Sequence, residues 1–439
     1  MLRVSPQTPV DDMEPHCETS FPTTLSKWLR EIVLSIPEAA RTTLAELIIG
    51  AILAGGGHVT QAFLALTPRL GWQAYHWMIE RGRFRLLGLI TALCGIIRRE
   101  VTGRCFAIID DTLAPRSSAK APGAAMRFDH AAKTNRPKFL LCQSFVTLST
   151  VVACRDRPRA VPVVTGLCRS VGNAGKLSIA KGLLRAVGDR LGPLYLLLDA
   201  WYMRGSLIRA ALRLGHDVIG QVRRDTALFR LPSPRVPGTR GRRRLYGERI
   251  DADAIARLPI STHRINGYGG RMARLRHIVC RPRFLRGVIV RAVWCELETR
   301  GGWAKRRLLL STDPALSAPA IVEAYSKRWS TEPLFNALKL TDGMGAMWQR
   351  GRTALLRWLH LVQIGRALLV LLTARAEPEI LALVQVGGWR KATTLTPGLV
   401  KDALANRFRN FQAFRLVPAT GRKSGPVQST GPPGQTIAA

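Results

Sequence analysis

The hydrophobic positions divide the chain into a helical first part and a later part in which strands dominate. From Thr23 to about Glu100, apolar residues recur at helical spacing and predict helices at Leu25–Ile36, Ala39–Ala54, Val59–Leu66, Trp72–Glu80 and Phe84–Arg98. Gly55-Gly56-Gly57 separate the second helix from the third. A helix, a glycine turn and a second helix could form a helix-turn-helix. Without a clear recognition-helix signature, a plain helical bundle is the better prediction.

Short continuous apolar runs after residue 104 predict buried strands. Cys105–Ile109 leads into Asp110-Asp111-Thr112, and Leu194–Leu198 leads into Asp199. A basic loop, residues 116–138, follows the first of these strands. The other predicted elements are the strands Phe139–Ala153, Ala160–Leu167 and Asp217–Val222 and the helices Ser178–Leu191 and Ser206–Leu214. Strands in succession, then alternating with helices, predict a mixed α/β sheet that is covered on both faces.

The pattern changes again over residues 223–300. Strand-like runs predict a β-rich insertion, with strands at Arg274–Val279, Gly287–Leu297 and Arg307–Leu310. Ahead of them lie arginines separated by proline and glycine: Arg223, Arg224, Arg230, Arg235, Arg240, Arg242, Arg243, Arg244 and Arg249. Such a stretch is either a solvated disordered loop or a loop that orders on a DNA backbone. Its candidate DNA contacts are Arg242, Arg243 and Arg244.

The charge of the whole chain favours a polyanionic partner. The 66 Lys and Arg against 29 Asp and Glu give a net charge of +37, while a hydrophobic fraction of 47% excludes global disorder. A charge of that sign and size makes nucleic acid the first candidate. A GC-rich genome would explain the preference for arginine over lysine, but not the excess of positive charge.

The sequence predicts neither a membrane protein nor a secreted one. The apolar runs Leu47–Ala54 and Ala367–Thr373 are too short to span a bilayer, and the N-terminus lacks a basic start followed by an apolar core. The eight cysteines are scattered without a C-x-x-C pair. Cys105 and Cys142 lie in apolar runs and are expected to be buried free thiols, which fits a reducing cytoplasm.

The segment Ala318–Lys339 predicts a helix with a polar face of mixed charge. At about 100° per residue, four side chains would fall within about 60° of one another: Tyr325, Arg328, Glu332 and Lys339. A carboxylate suits a hard divalent cation, and Arg and Lys suit phosphate oxygens. The alternative is a surface helix in which Arg328 pairs with Glu332 at i,i+4.

Proline interrupts this helix, and a second helix is predicted at Thr353–Ala374. Pro333 has no N–H to donate to the carbonyl of Trp329, and its ring clashes one turn back. The helix should therefore kink near Glu332 or restart from Ser330-Thr331.

Three acids could meet at one edge of the predicted sheet: Asp111, Asp199 and Glu332. Clustered carboxylates repel one another unless a cation lies among them, and oxygen ligands favour Mg²⁺ or Mn²⁺. Strand alternation sends Asp110 and Asp111 to opposite faces, so only one of them is expected to be a ligand. Taken singly, an Asp after a strand more often caps a helix or forms a turn.

Together these residues resemble a known family. Asp-Asp-Thr after a strand, Asp199 after a second strand and Tyr-x2-Arg-x3-Glu-x6-Lys resemble the DDE transposases of bacterial insertion sequences, and more narrowly the insertion-sequence-four group with its Tyr-Arg-Glu-Lys signature. The resemblance covers about residues 104–375. It implies an α/β fold with a ribonuclease-H-like catalytic core and a β-rich insertion, preceded by a helical N-terminal domain in the place of the family's end-binding region.

The resemblance also implies roles for single residues. Asp111, which directly precedes Thr112, would be a catalytic metal ligand together with Asp199 and Glu332, and the three would hold two Mg²⁺ (or Mn²⁺) ions. The signature residues that would bind DNA phosphates are Tyr325, Arg328 and Lys339. An aromatic residue of the insertion, Trp294 or Trp303, would stack on a flipped base. Ala200-Trp201-Tyr202 depart from the residues that relatives often carry after the second aspartate.

The function implied is cut-and-paste transposition. The enzyme would excise an insertion sequence by hydrolysis and a hairpin intermediate on the transposon end, then transfer the strand by transesterification. It would act as a homodimer on double-stranded DNA, both terminal inverted repeats and target, at the bacterial nucleoid in the cytoplasm. Two alternatives stay open: an inactive, domesticated DNA-binding protein, and a ribonuclease-H-like nuclease without strand transfer.

These inferences divide the chain into seven regions. They are a disordered tail (1–22), a helical DNA-end-binding domain (23–100), the first part of the core (104–222), the basic β-rich insertion (223–312), the last part of the core with the Glu332 helix (313–375), a C-terminal helical region (376–417) and a second disordered tail (418–439).

Overall fold

The computed structural model describes residues 21–129, 137–169, 174–234, 241–384 and 395–417. The helices are α1 (Thr23–Leu34), α2 (Glu38–Ala54), α3 (Val59–Leu64), α4 (Trp72–Arg81), α5 (Leu86–Glu100), α6 (Ala174–Val187), α7 (Gly205–Arg213), α8 (Ala252–Ala256), α9 (Ala318–Ser326), α10 (Thr331–Asn336), α11 (Arg352–Arg375), α12 (Pro378–Leu383) and α13 (Pro397–Phe408). The strands are β1 (Cys105–Pro115), β2 (Ala125–Phe128), β3 (Phe139–Val152), β4 (Arg159–Leu167), β5 (Leu194–Leu198), β6 (Asp217–Val222), β7 (Leu228–Phe229), β8 (Ser261–Ile265), β9 (Arg271–Pro282), β10 (Val290–Thr299), β11 (Gly302–Trp303) and β12 (Arg307–Ser311).

Helices α1 to α5 confirm the helical pattern predicted for the first hundred residues. The apolar faces of α1, α2, α4 and α5 pack against α11, and α3 packs against α2 and α4, so these helices share one core with the rest of the protein. The Trp358 indole on α11 donates a hydrogen bond of 2.7 Å to the carbonyl of Gly57, in the turn between α2 and α3. A Cβ at Gly57, whose φ is +77°, would collide with the carbonyl oxygen of Gly343. The predicted domain boundary near residue 100 stays a prediction.

The predicted tails lie almost wholly outside the described residues, as do Arg235 and Arg240 of the basic stretch. Phe21, which the tail prediction includes, is buried instead. Its ring stacks on Phe411 with the centroids 4.6 Å apart and meets Phe408 edge-on.

One helix in the described part of the chain, α11, is long and apolar enough to cross a membrane. Yet 89% of its most apolar stretch is buried within the protein, as expected of a core helix.

The strands form one mixed sheet. Strands β1, β3 and β4 are antiparallel neighbours, whereas β5 and β6 run parallel to β1 on its other side. The sheet continues through β12, β10 and β9, because β12 pairs antiparallel with β6. The strands predicted as a β-rich insertion therefore extend the central sheet. The predicted basic loop contains β2, which pairs with the start of β3.

Strand β1 is longer than its apolar run. It continues to Pro115 because β3 pairs with it antiparallel along that length, with Asp110 opposite Thr147. On its other side, the parallel pairing with β5 ends at Ile109 and Leu198. The prediction that the first strand ends at its aspartates is thus wrong, since β3 supplies hydrogen bonds beyond them. The prediction for β5, which ends just before Asp199, is confirmed.

The segment that carries the Tyr-Arg-Glu-Lys signature is divided into short helical pieces. Helix α9 ends at Ser326, a 3₁₀ turn spans Lys327–Ser330, α10 begins at Thr331, and a π turn spans Ala337–Thr341. The restart at Thr331 confirms the prediction from Pro333, which lies in the first turn of α10, where its missing N–H is not needed. The four signature side chains therefore do not project from one regular helix.

Candidate active site

The pairing of β1 with β5 brings two aspartates side by side. The last parallel pair is Ile109 with Leu198. Asp110 on β1 therefore lies beside Asp199, the residue that follows β5. Strand β5 ends there while β1 continues, which opens the sheet on one side of Asp110. This is the carboxyl end of a parallel strand, where sites in α/β sheets form.

Asp110 faces the signature segment. Its Oδ2 lies 3.3 Å from Nη1 of Arg328, and the two side chains are 19% and 17% exposed. Burial raises the pKa of Asp110 to about 7; the Arg328 guanidinium opposes this shift, and the charge of Asp199 adds to it. The Arg328 guanidinium thus pairs with Asp110, in contrast to the alternative in which it pairs with Glu332 along one helix.

Asp111 has a different set of partners. Nζ of Lys176, in the first turn of α6, lies 2.6 Å from Asp111 Oδ2, and the Tyr202 hydroxyl donates to Asp111 Oδ1 at 2.9 Å. Burial, followed by the charge of Asp111, raises the pKa of Tyr202, so this residue is a neutral phenol that can donate. One carboxylate is therefore held by an ammonium and a phenol.

Asp199 forms the turn after β5. Its Oδ1 accepts a hydrogen bond of 2.9 Å from the backbone N–H of Tyr202, which is the turn-forming role weighed for such an aspartate. Burial raises the pKa of Asp199, and the charge of Asp111 acts in the same direction. Tyr202 holds Asp199 through its backbone and Asp111 through its side chain. The residues that depart from the family pattern thus help to build the site.

The remaining signature residues differ in how deeply they are buried. Tyr325 is buried, and the Arg328 guanidinium carbon lies 5.8 Å from the centre of its ring. Glu332 is exposed on α10, a helix that packs against β1, and Lys339 is half-buried in the π turn. The structure therefore brings Asp110, Asp111 and Asp199 into one electrostatic cluster with Arg328. Glu332 makes no hydrogen bond or ion pair with any other described residue.

Carboxylate oxygens are the donor type that hard divalent cations prefer. Within the described ranges, no three His, Cys, Asp or Glu side chains are grouped closely enough to hold a metal ion. Mg²⁺ is nevertheless commonly bound by one or two carboxylates together with waters and substrate phosphates. Asp111 and Asp199, whose carboxylates interact electrostatically, are donors of this type.

The predicted DNA contacts of the insertion differ in exposure. Arg242, Arg243 and Arg244 are exposed. Trp294 is buried on β10, and Trp303 is half-buried with the Arg274 guanidinium 4.1 Å from the centre of its ring. Base stacking at Trp294 would require β10 to uncover the ring, and stacking at either tryptophan stays a prediction.

Residues of the signature segment line a cavity of about 360 Å³. Its walls include Trp329, Pro333 and Leu334, together with Arg159 and Arg366. Both arginines are already paired, Arg159 with Asp156 and Arg366 with Asp342. The aspartate cluster does not line this cavity. The cluster, rather than the cavity, is therefore the candidate active site.

Sequence reasoning missed Lys176 and Tyr202. The predicted helix begins at Ser178, two residues after Lys176, and the sequence marks Tyr202 only as part of the departure from the family pattern. Neither contact could be found from spacing along the chain, because Asp111 lies 65 residues from Lys176 and 91 from Tyr202.

Comparison with known proteins places this geometry in context. A family model described as "DDE superfamily endonuclease" matches residues 33–268, which is more than half of the 439-residue chain. The matched range contains Asp110, Asp111, Lys176 and Asp199 but ends before Glu332. No curated protein matches the chain. The solved structure of the NurA nuclease from Sulfolobus solfataricus is similar at 10% identity and a TM-score of 0.23, covering 54% of this chain and 83% of that one. A TM-score that low supports no conclusion about fold or function.

Proposed function

Since the chain belongs to the DDE superfamily endonuclease family, we propose that it is a DNA transposase of the insertion-sequence-four group. The family makes it a nuclease whose substrate is nucleic acid and whose relatives generally use divalent metal ions. The proposed reaction is cut-and-paste transposition, in which phosphodiester hydrolysis excises the element and transesterification inserts it.

One contact carries the proposal: Arg328 Nη1 lies 3.3 Å from Asp110 Oδ2. This contact joins the signature segment, residues 325–339 of 439, to an aspartate of β1 that lies beside the end of β5. An arginine next to buried acids has only a structural role if the segment is an ordinary surface helix. It gains a chemical role if the acids bind a metal and the arginine binds the phosphate beside it.

The strand arrangement supports a ribonuclease-H-like core. Three antiparallel strands, β4, β3 and β1, are followed by β5 and β6 parallel to β1. This places the first acids on the central strand and the second acid at the end of its parallel neighbour. The third acid, Glu332, comes from α10, which packs against the same central strand.

In the proposed mechanism, Asp111 and Asp199 would hold the divalent ions, and Glu332, which is exposed on α10 and not grouped with them in this structure, would have to move toward them to become the third ligand. When bound, the ions would activate the attacking water or 3′-hydroxyl and stabilise the leaving oxygen of the phosphodiester. Tyr202 orients Asp111 through its hydroxyl and Asp199 through its backbone N–H. Arg328 and Lys339 bind the phosphate that flanks the scissile bond. The Tyr325 ring, 5.8 Å from the Arg328 guanidinium carbon, helps to position that guanidinium.

The proposed partners follow from charge and exposure. A net charge of +37 suits the backbone of double-stranded DNA, and the exposed Arg242, Arg243 and Arg244 are the proposed contacts of the insertion. The protein would act as a homodimer on terminal inverted repeats and target DNA, at the nucleoid of a bacterial cytoplasm.

The test uses DNA that carries the flanking ends of the gene, incubated with Mg²⁺ or Mn²⁺ and resolved on a denaturing gel. Glu332→Gln should bind this DNA normally but cleave it more than about 100-fold more slowly. Loss of a residue that only supports a metal ligand typically costs up to about 100-fold, and loss of the ligand itself should cost more. Glu323→Gln is the matched control, because the side chain of Glu323 on α9 accepts a hydrogen bond only from the backbone N–H of Gly267 among the described residues. Normal cleavage by Glu332→Gln would overturn the ligand assignment.

The same gel separates the alternatives. Joined products support transposition, cut ends without joined products support a nuclease without strand transfer, and DNA binding without cutting in Mn²⁺ supports a domesticated DNA-binding protein. The family match to endonucleases is the observation that favours the nuclease alternative over the inactive one.

A further inference from the structure

Lys176 forms an ion pair with Asp111, the carboxylate that the proposed function assigns to a metal. Lys176 Nζ lies 2.6 Å from Asp111 Oδ2, and the two side chains are 13% and 18% exposed. The other carboxylate oxygen, Oδ1, accepts the Tyr202 hydroxyl. Both oxygens of Asp111 are therefore engaged in this conformation.

The ammonium and a divalent ion compete for the same oxygen. Two cations on one carboxylate oxygen repel each other, and the repulsion is stronger in a poorly solvated site. A metal that binds Asp111 Oδ2 would therefore weaken the ion pair with Lys176 and favour its release. Lysine allows this because its charge is a compact group at the end of a flexible four-carbon stem.

The displaced ammonium then requires another anion. Lys176 lies in the first turn of α6, and its Nζ is 5.5 Å from the centre of the Trp201 ring, on the turn that carries Asp199. The ammonium thus lies beside the aspartate cluster, within reach of a DNA phosphate that would bind there. Lysine is a common binder of phosphate as a point charge.

We propose that Lys176 is a positioning residue that neutralises Asp111 before the metal binds and grips a DNA phosphate afterwards. This rests on the proposed function, because it requires Asp111 to be a metal ligand. Metal binding and DNA binding would thus be linked, because Lys176 released from Asp111 would add a positive charge that binds a DNA phosphate. A static ion pair between Lys176 and Asp111 would show no such link.

The first measurement is Mn²⁺ affinity without DNA, by isothermal titration calorimetry on the full chain. Lys176→Met removes the competing charge and should bind Mn²⁺ about tenfold more tightly, the size of effect that residues in contact with metal ligands typically have on metal affinity. Lys176→Arg should bind it more weakly, because a guanidinium grips a carboxylate with two hydrogen bonds. Lys181→Met, on the same helix, should match the wild type.

The second measurement is DNA affinity by fluorescence anisotropy, with and without Ca²⁺ as a hard cation. Lys176→Met should lose affinity only when Ca²⁺ is present, because without it Lys176 is engaged by Asp111. Lys176→Arg should retain the affinity. If Lys176 had only a structural role, the loss of DNA affinity in Lys176→Met would not depend on Ca²⁺, and Lys176→Arg would not restore the affinity.

Two results would overturn the inference. One is an unchanged or weaker Mn²⁺ affinity in Lys176→Met, measured on a variant with a normal thermal unfolding curve. If that variant does not fold, Lys176→Arg serves instead, and Mn²⁺ affinity that is not weaker than that of the wild type would overturn the inference. The other is Asp111→Asn with Mn²⁺ affinity equal to that of the wild type, which would remove the ligand assignment as well. Asp111→Asn that abolishes Mn²⁺ binding while Lys176→Met changes nothing would reject only the role of Lys176.

Discussion

The Tyr202 hydroxyl donates a hydrogen bond of 2.9 Å to Asp111, and so links the turn after β5 to the middle of β1. Because the backbone N–H of Tyr202 also binds Asp199, one residue sets the relative position of two acids on neighbouring strands. The geometry of the cluster thus depends on a side chain that carries no charge itself.

Tyr202→Phe should weaken the site without unfolding the protein. The ring still fills its buried position, but Asp111 loses the donor that orients it. Residues that support metal ligands typically contribute about 10-fold to 100-fold to metal affinity or activity, and we expect a loss of that size in Mn²⁺ binding and DNA cleavage. Tyr246→Phe is the control, since among the described residues its hydroxyl makes only a long 3.4 Å hydrogen bond to the backbone carbonyl of Arg283. Equal effects of the two changes would show that Tyr202 does not orient Asp111.

Asp110 should make stability fall as pH rises through the acidic range. Burial raises its pKa from 3.8 to about 7, so the folded protein keeps a proton that the unfolded chain releases above about pH 4. The free energy of unfolding should therefore decrease between about pH 4 and 7 through this group. In Asp110→Asn that decrease should be smaller, as measured by urea unfolding at a series of pH values without divalent ions. A wild type and variant with parallel pH profiles would contradict the raised pKa.

Asp342 should contribute strongly to stability. It follows the π turn of the signature segment and binds Arg366 on α11 through two bonds of 2.6 Å, with both side chains about 95% buried. Asp342→Ala leaves a buried arginine without its carboxylate and should cost about 3–5 kcal/mol of unfolding free energy. Asp225→Ala removes an exposed pair with Arg223 and should cost less than about 1 kcal/mol. Similar losses in urea unfolding would mean that the buried pair does not anchor this segment.

Gly57 should tolerate alanine poorly for two separable reasons. Its φ is +77°, and a Cβ there would collide with the Gly343 backbone. Gly103, with a φ of +76° and open space around it, has only the first problem. We expect Gly103→Ala to cost about 1–2 kcal/mol and Gly57→Ala distinctly more. The difference between the two losses of unfolding free energy gives the cost of the collision between the Gly57 and Gly343 loops. Equal losses in the two variants would show that these loops can separate at little cost.

Local patterns were sufficient for much of the fold. Helices α1 to α5, strands β5 and β6, and the restart of the signature helix at Thr331 follow from apolar spacing, glycine turns and the missing N–H of Pro333. These features depend on residues within a few positions of one another. The sequence alone could therefore predict them, along with the three acids as candidates for one site.

The tertiary structure decided how those elements meet. Sheet pairing extended β1 past Asp110 and joined β12 to β6, which no local pattern specifies because the hydrogen bonds come from distant strands. Folding likewise placed Arg328 on Asp110, and Lys176 and Tyr202 on Asp111. A side chain's chemistry is written in the sequence. Its partner is chosen by packing across the whole chain, and the partner sets the charge, pKa and orientation that a site requires.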